Sequence, residues 1–257
     1  LAGPQSTNKW QNSEIEGIDI MLAIDVSTSM LAEDLKPNRL EAAKDVAAEF
    51  INGRPNDNIG ITLFAGETFT QCPLTVDHAV LLDMIHNIKC GLIEDGTAVG
   101  MGVANAVTRL KDSKAKSKVV ILLTDGTNNK GDISPLTAAE IAKSFGIRVY
   151  TIGVGTNGMA PYPYPVGNTV QYINMPVEID EKTLTQIAGT TDGNYFRATS
   201  NSKLKEVYEE IDKLEKTKLN VKEYSKREED YRWFALAAFL CVLLEVLLRN
   251  SILKKIP

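Results

Sequence analysis

Four short, almost wholly apolar runs recur along the chain, and stretches of helical period separate them. They are residues 17–26 (GIDIMLAIDV), 59–64 (IGITLF), 118–124 (KVVILLT) and 148–154 (RVYTIGV). Apolar runs this short, without strict alternation, read as strands buried on both faces. The stretch 39–51 carries Leu40, Ala43, Val46, Ala47 and Phe50 at helical spacing, with Asn38 to cap its start and Gly53 to end it. A second helix is predicted over 76–88, with Val80, Leu81, Met84, Ile85 and Ile88 inward, and a third over 99–110, with Val103, Ala106, Val107 and Leu110 on one face. Helices are also predicted over 136–145 (ended by Gly146), 183–188 and 202–216, and short strands over 68–71 and 194–197. Strands alternating with helices imply parallel βαβ units with right-handed crossovers. The expected fold is therefore α/β and doubly wound. Its sheet is mostly parallel, with one short antiparallel edge strand and helices on both faces.

At 257 residues the chain has room for one large domain plus appendages. The formal net charge of −5 argues against a nucleic-acid partner, because an acidic surface repels phosphates. The three cysteines, Cys72, Cys90 and Cys241, form no CxxC pair, and His78 and His86 belong to no cysteine cluster, so a zinc site is not expected. Cys72 and Cys90 are left with two readings: a disulfide, if the domain lies outside the cytoplasm, or two buried free thiols.

Three segments stand apart. Residues 156–177 show no periodicity, include Pro161, Tyr162, Pro163, Tyr164 and Pro165, and read as a long loop that is either functional or a mobile insertion. Residues 221–232 (VKEYSKREEDYR) read as a charged linker in a solvated helical stalk. Residues 233–248 (WFALAAFLCVLLEVLL) are apolar except for Glu245, and extension to Leu253 makes 21 residues, enough to cross a bilayer. Tyr231 and Trp233 suit one interface, and Arg249, Lys254 and Lys255 the other. Those basic residues follow the span, so the tail is expected in the cytoplasm and the globular domain outside it.

The chemistry gathers at the end of the first strand, in Asp25-Val-Ser27-Thr-Ser29. Alternate residues of an extended chain point the same way, so Asp25, Ser27 and Ser29 can aim three oxygens at one point above the carboxyl edge of the sheet. Thr97, in Glu94-Asp95-Gly96-Thr97, and Asp125, in Thr124-Asp125-Gly126, are expected at the same edge. Two carboxylates and three hydroxyls form an oxygen-only donor set suited to Mg2+, or to Mn2+ or Ca2+. With neutral hydroxyls as direct ligands, the ion stays electrophilic. It can then take an Asp or Glu carboxylate from a protein partner.

The three-part pattern of DVSTS, Gly96-Thr97 and TDG at 124–126 resembles the metal-ion-dependent adhesion site (MIDAS) of von Willebrand factor A domains, over roughly residues 17–214. The resemblance implies that Ser27, Ser29 and Thr97 contact metal directly or conditionally, and that Asp25 and Asp125 often act through water. The stretches PNRLEAAK, IEDGTAVGMG, GDISPLTAAEIAK, YTIGVGTNG and PYPYP are more narrowly similar to the bacterial aerotolerance (Bat) group of membrane-anchored proteins. That resemblance implies a bacterial inner-membrane protein whose domain lies in the periplasm. It also implies further N-terminal spans before residues 1–16, and work beside a MoxR-type AAA+ ATPase and other VWA or TPR membrane proteins. Gly3 stands where a basic residue is expected.

The competing class is an Mg2+-dependent phosphatase-like hydrolase on a similar sheet. Such an enzyme needs a second carboxylate two residues after the strand-end Asp, and Ser27 occupies that position. A non-enzymatic interaction module is the expectation. Residues 156–177 are expected to flank the ion and to contact the partner through Tyr162 and Tyr164, aromatic anchors on a proline-stiffened chain.

Overall fold

A computed structural model describes residues 17–156, 158–167 and 169–224, together with Val242 and Val246. In chain order the elements are β1 (Asp19–Asp25), a 3-10 turn (Thr28–Leu31), α1 (Arg39–Asn52), β2 (Asn58–Phe64), β3 (Thr68–Thr75), α2 (His78–His86), α3 (Val99–Leu110), β4 (Lys118–Thr124), α4 (Pro135–Ser144), β5 (Arg148–Val154), β6 (Met159–Val166), β7 (Thr169–Pro176), α5 (Glu181–Thr190), β8 (Tyr195–Ala198) and α6 (Asn201–Tyr224). One compact unit spans Ile15–Leu219.

The main sheet has six strands in the order β3-β2-β1-β4-β5-β8. Every neighbouring pair is parallel except β2 with the edge strand β3. Side-chain alternation in β1 divides the core. Ile20, Leu22 and Ile24 pack in one cluster with Leu40 and Ala47 of α1, Leu81 and Ile85 of α2, and Leu204 and Val207 of α6. Met21 and Ala23 face a second cluster with Val103 and Ala106 of α3, Ala138 and Ala142 of α4, and Ile187 of α5. Each layer is an apolar helix face laid on a strand run that is buried throughout, which is why those runs carry almost no polar residues.

The caps explain where helices begin. Asn38 Oδ1 accepts from Glu41 N at 2.8 Å, Asp77 Oδ1 accepts from Val80 N at 3.2 Å, and Ser134 Oγ accepts from Thr137 N at 3.1 Å. Gly100, inside α3, has a packing role. A Cβ there would lie 2.0 Å from the carbonyl oxygen of Ile133, a backbone atom. Gly100→Ala is therefore expected to destabilise the fold by about 1–3 kcal/mol through overpacking, read as a lowered Tm in thermal unfolding. An unchanged Tm would show that α3 shifts freely.

Residues 156–177 form a β-hairpin and not a structureless loop. β6 and β7 pair antiparallel from Met159↔Pro176 to Val166↔Thr169. Gly167 turns the chain at φ 59°, a left-handed conformation that favours glycine. The three prolines of β6 pair with Asn174, Tyr172 and Val170. Successive residues of a strand direct their backbone polar groups to opposite sides, and Pro161 O is turned outward to Glu33 N, so prolines at every second residue cost the β6–β7 ladder none of its donors.

Cys72, buried, and Cys90, half-buried, are free thiols. Cys90 Sγ instead donates to the carbonyl oxygen of Ser27 at 3.4 Å. Among the described residues, no helix is long and apolar enough to cross a membrane. The apolar segment 233–253 lies outside the described residues apart from Val242 and Val246, as do residues 1–16.

Candidate metal centre

The chain leaves β1 toward β2 on one side, and β4 adjoins β1 on the other. Ligands of open α/β sheets sit where connections diverge in this way, outside the carboxyl ends of the strands. Asp25 is the last residue of β1, and Asp125 follows the last residue of β4. Both side chains are buried within the protein.

Asp25 Oδ1 accepts from Ser27 N at 2.9 Å, and Asp25 Oδ2 accepts from Thr124 Oγ1 at 2.6 Å. Ser27 Oγ lies 2.9 Å from Ser29 Oγ, which donates to Asp125 Oδ1 at 2.7 Å. Two hydroxyls thus span the space between the two carboxylates. Ser27 keeps an extended backbone (φ −61°, ψ 160°), but Ser29 lies in the 3-10 turn. That turn, not extended alternation, brings the second hydroxyl onto Asp125.

Thr97 comes to the same place from the loop before α3. Its Oγ1 is 3.3 Å from where a Cβ on Gly126 would stand. Asn129 fixes it there: Thr97 N donates to Asn129 Oδ1 at 2.9 Å, and Thr97 O accepts from Asn129 N at 3.0 Å. Asp95 ties this loop to the first one, accepting from Thr28 N at 3.0 Å and from Thr28 Oγ1 at 2.9 Å. The structure thus brings all five oxygen-bearing side chains, Asp25, Ser27, Ser29, Thr97 and Asp125, to one edge. Glu94 points elsewhere, to Lys130 Nζ at 2.5 Å.

Burial and the neighbouring Asp125 charge push the Asp25 carboxyl up to about 7. Burial also raises Asp125, against the opposing pull of Arg39. Two like charges closed off from water form an electrostatic defect that a cation relieves. Among the described residues, no three His, Cys, Asp or Glu side chains gather as a metal cluster. The donors here are two carboxylates and three hydroxyls, a hard set that fits a small divalent ion and offers nothing to a soft one. Cys90 adds no thiolate, since burial and the charges of Asp25 and Asp125 push its thiol up to about 12.

Arg39, read from the sequence only as the start of a helix, turns inward. Nη1 donates to Asp125 Oδ2 at 2.7 Å, while Nε and Nη2 hold both oxygens of Asp34 at 2.7 Å each. Burial raises the Asp34 carboxyl, but the bonds from Arg39 and from Thr156 N outweigh it and hold Asp34 below its usual range. No pattern in the sequence separates such an arginine from a solvated one at a helix start.

The hairpin stands at the same edge. Thr156 N donates to Asp34 Oδ2 at 2.8 Å, Glu33 N donates to Pro161 O at 2.8 Å, and Tyr172 Oη donates to Glu33 Oε1 at 2.9 Å. Tyr162 is half-buried and Tyr164 is 52% exposed. Val170, Tyr172, Ile173 and Met175 of β7 are exposed as well.

A family model described as von Willebrand factor type A domain matches residues 19–210. An uncharacterized protein of Borreliella burgdorferi is 27% identical over 258 residues, covering 100% of this chain and 76% of that protein. A UPF0353 protein of Mycolicibacterium paratuberculosis is 30% identical over 203 residues, and the chain spans 58% of its length. Among solved structures, an aerotolerance-related membrane protein of Bacteroides fragilis is 33% identical with a TM-score of 0.66, over 77% of this chain and 100% of that one. The conserved hypothetical protein BatB of Bacteroides thetaiotaomicron is 33% identical with a TM-score of 0.68, over 78% of this chain and 100% of that one. Proximal thread matrix protein 1 of the mussel byssus, with zinc in its MIDAS motif, is 25% identical with a TM-score of 0.61, over 77% of this chain and 45% of that one.

Proposed function

From the premise that the chain belongs to the von Willebrand factor type A domain family, we propose that it is a divalent-cation-dependent protein-interaction module. The observation that carries this is the buried pair Asp25 and Asp125, spanned by the hydroxyls of Ser27 and Ser29 with Thr97 beside them. Ser27, Ser29 and Thr97 would hold the cation through neutral oxygens, and Asp25 and Asp125 would balance its charge. The cation supplies an electrophilic position for one carboxylate from outside. Mg2+ is the favoured ion, with Mn2+ or Ca2+ as substitutes. The zinc-containing MIDAS of the mussel protein supports a cation at this edge of the fold.

The partner in this reading is a protein presenting an Asp or Glu carboxylate to the ion. Tyr162 and Tyr164, on an uncharged hairpin beside the site, supply contact area around it. Similarity to BatB and to the Bacteroides fragilis membrane protein supports a place among aerotolerance proteins. We extend this to a bacterial inner-membrane protein held through residues 233–253, its domain periplasmic, beside other VWA or TPR proteins and a MoxR-type AAA+ ATPase.

Calorimetric titration of the chain with Mg2+ and Mn2+, followed by pulldown from solubilised bacterial membranes with and without chelator, tests the reading. One cation is expected per chain, with partner capture lost in chelator. The variant carrying both Tyr162→Ala and Tyr164→Ala is expected to bind the cation normally and capture at least about tenfold less partner, the scale of a hot-spot loss. No cation uptake sinks the metal assignment. Undiminished capture by the double variant sinks the role of the tyrosines.

A further inference from the structure

The guanidinium of Arg39 is shared between two carboxylates with different duties. Asp125 belongs to the metal centre and Asp34 to the hairpin base, where it accepts from both Thr156 N at 2.8 Å and Thr156 Oγ1 at 3.1 Å. The Arg39 side chain is only 4% exposed, so water does not weaken these pairs. The chain entering the hairpin also lies against the guanidinium: Gly155 has φ 139°, and a Cβ on it would come within 2.7 Å of Arg39 Nη2. A side chain at position 155 would displace the arginine. Next to Asp34, Glu33 accepts from Tyr172 of β7, and its amide donates to Pro161 of β6. Hydrogen bonds therefore run from Asp125 through Arg39 and Asp34 to Thr156, and the peptide link from Asp34 to Glu33 extends the connection to both strands of the hairpin.

We propose that Arg39 is a positioning residue that couples cation binding at Asp125 to the rigidity of the β6–β7 hairpin through Asp34. The inference rests on the metal-centre reading above. In the metal-free state Arg39 divides one positive charge between two buried carboxylates. A cation at the Asp25–Asp125 pair takes over much of the neutralisation of Asp125. The guanidinium is then left more fully to Asp34, whose grip on Thr156 tightens. Arginine is needed for this, because its planar fork holds two carboxylates at fixed angles, whereas a lysine ammonium is a single point charge. The surface offered to a partner is in this way set by whether the ion is in place.

Hydrogen exchange read by mass spectrometry on the full chain, with Mg2+ or with chelator, tests the coupling, alongside calorimetry of Mg2+ binding. In the wild-type protein Mg2+ is expected to slow amide exchange across residues 156–177 at least threefold. In Asp34→Asn, Mg2+ is expected to bind within tenfold of the wild-type affinity with the slowing lost, and in Arg39→Lys the slowing is expected to be lost at saturating Mg2+ whatever its affinity. Asp34→Asn keeps the shape of the side chain and carries the test if Arg39→Lys fails to fold. If the wild-type protein binds Mg2+ while hairpin exchange stays unchanged, the coupling is wrong and the metal reading stands. Variants that bind Mg2+ and still transmit the slowing also overturn it. A wild-type protein that takes up no Mg2+ removes the metal reading and the coupling together.

Discussion

Asp25→Asn is expected to weaken Mg2+ binding at least about 100-fold, close to 2.8 kcal/mol, while raising the Tm of the metal-free protein by roughly 5 °C. The two effects have one cause. Asp25 is wholly buried, and burial and Asp125 together push its carboxyl up to about 7. A carboxyl raised in the folded state gives stability that is intact below the unfolded value of about 4 and is lost as pH rises through about 7. At pH 7.5 the metal-free wild-type protein therefore carries the full penalty. Asparagine keeps the shape, can still accept from Ser27 N, and has no charge to bury. With saturating Mg2+ the order reverses, because the wild-type protein gains more from ligand linkage than the weaker-binding variant. Scanning calorimetry of both proteins in chelator and in Mg2+ reads all four states. A variant no more stable than wild type without metal would mean that Asp25 is not held ionised against a cost.

Glu215→Gln is the largest expected loss of stability. Glu215 sits on α6 at the amino edge of the sheet, 1% exposed. It accepts from Arg148 Nε at 2.8 Å, Tyr150 Oη at 2.5 Å and Ser117 Oγ at 2.7 Å, and its second oxygen is also held by Arg148 Nη2. Removing one partner of a buried ion pair leaves the other charge uncompensated, at a cost of about 3–5 kcal/mol. For a domain of this size the Tm falls on the order of 10 °C. Mg2+ affinity is expected to stay at the wild-type value, since the network lies at the other end of the strands. Thermal unfolding and titration of the same sample check both halves. A Tm within about 2 °C of wild type would show that α6 is held by its apolar face alone.

The centre of the sheet was legible in the sequence because β1, β2, β4 and β5 are buried on both faces and their interiors are therefore spelled almost wholly in apolar residues. Asp25 and Asp125 were legible because strand ends put them at one edge, whereas Ser29 and Thr97 reach that edge through a 3-10 turn and an Asn129-held loop that the sequence does not spell out. Two features were hidden, for different reasons. In β6 proline stands at alternate positions, which masks a strand, and all of β7 is exposed, so no core face imposed a period on either. Arg39 and Asp34 are paired by tertiary contact alone, and a charged residue at a helix start looks the same whether it faces water or a buried carboxylate. The predicted closing helix stopped near Lys216, while α6 runs to Tyr224, because a charged stretch of good helix formers reads equally as stalk or linker.

The parallel arrangement has a mechanical consequence. β1 begins at Asp19 at the amino edge of the sheet, and α6 returns to that edge, where Glu215 clasps Arg148. The start of β1 and Glu215 of α6 thus share one pole of the sheet, and the loops of Ser27, Thr97 and Asp125 occupy the opposite pole. Force applied between Asp19 and Glu215 therefore acts at the amino edge, the end of the strands remote from Ser27, Thr97 and Asp125.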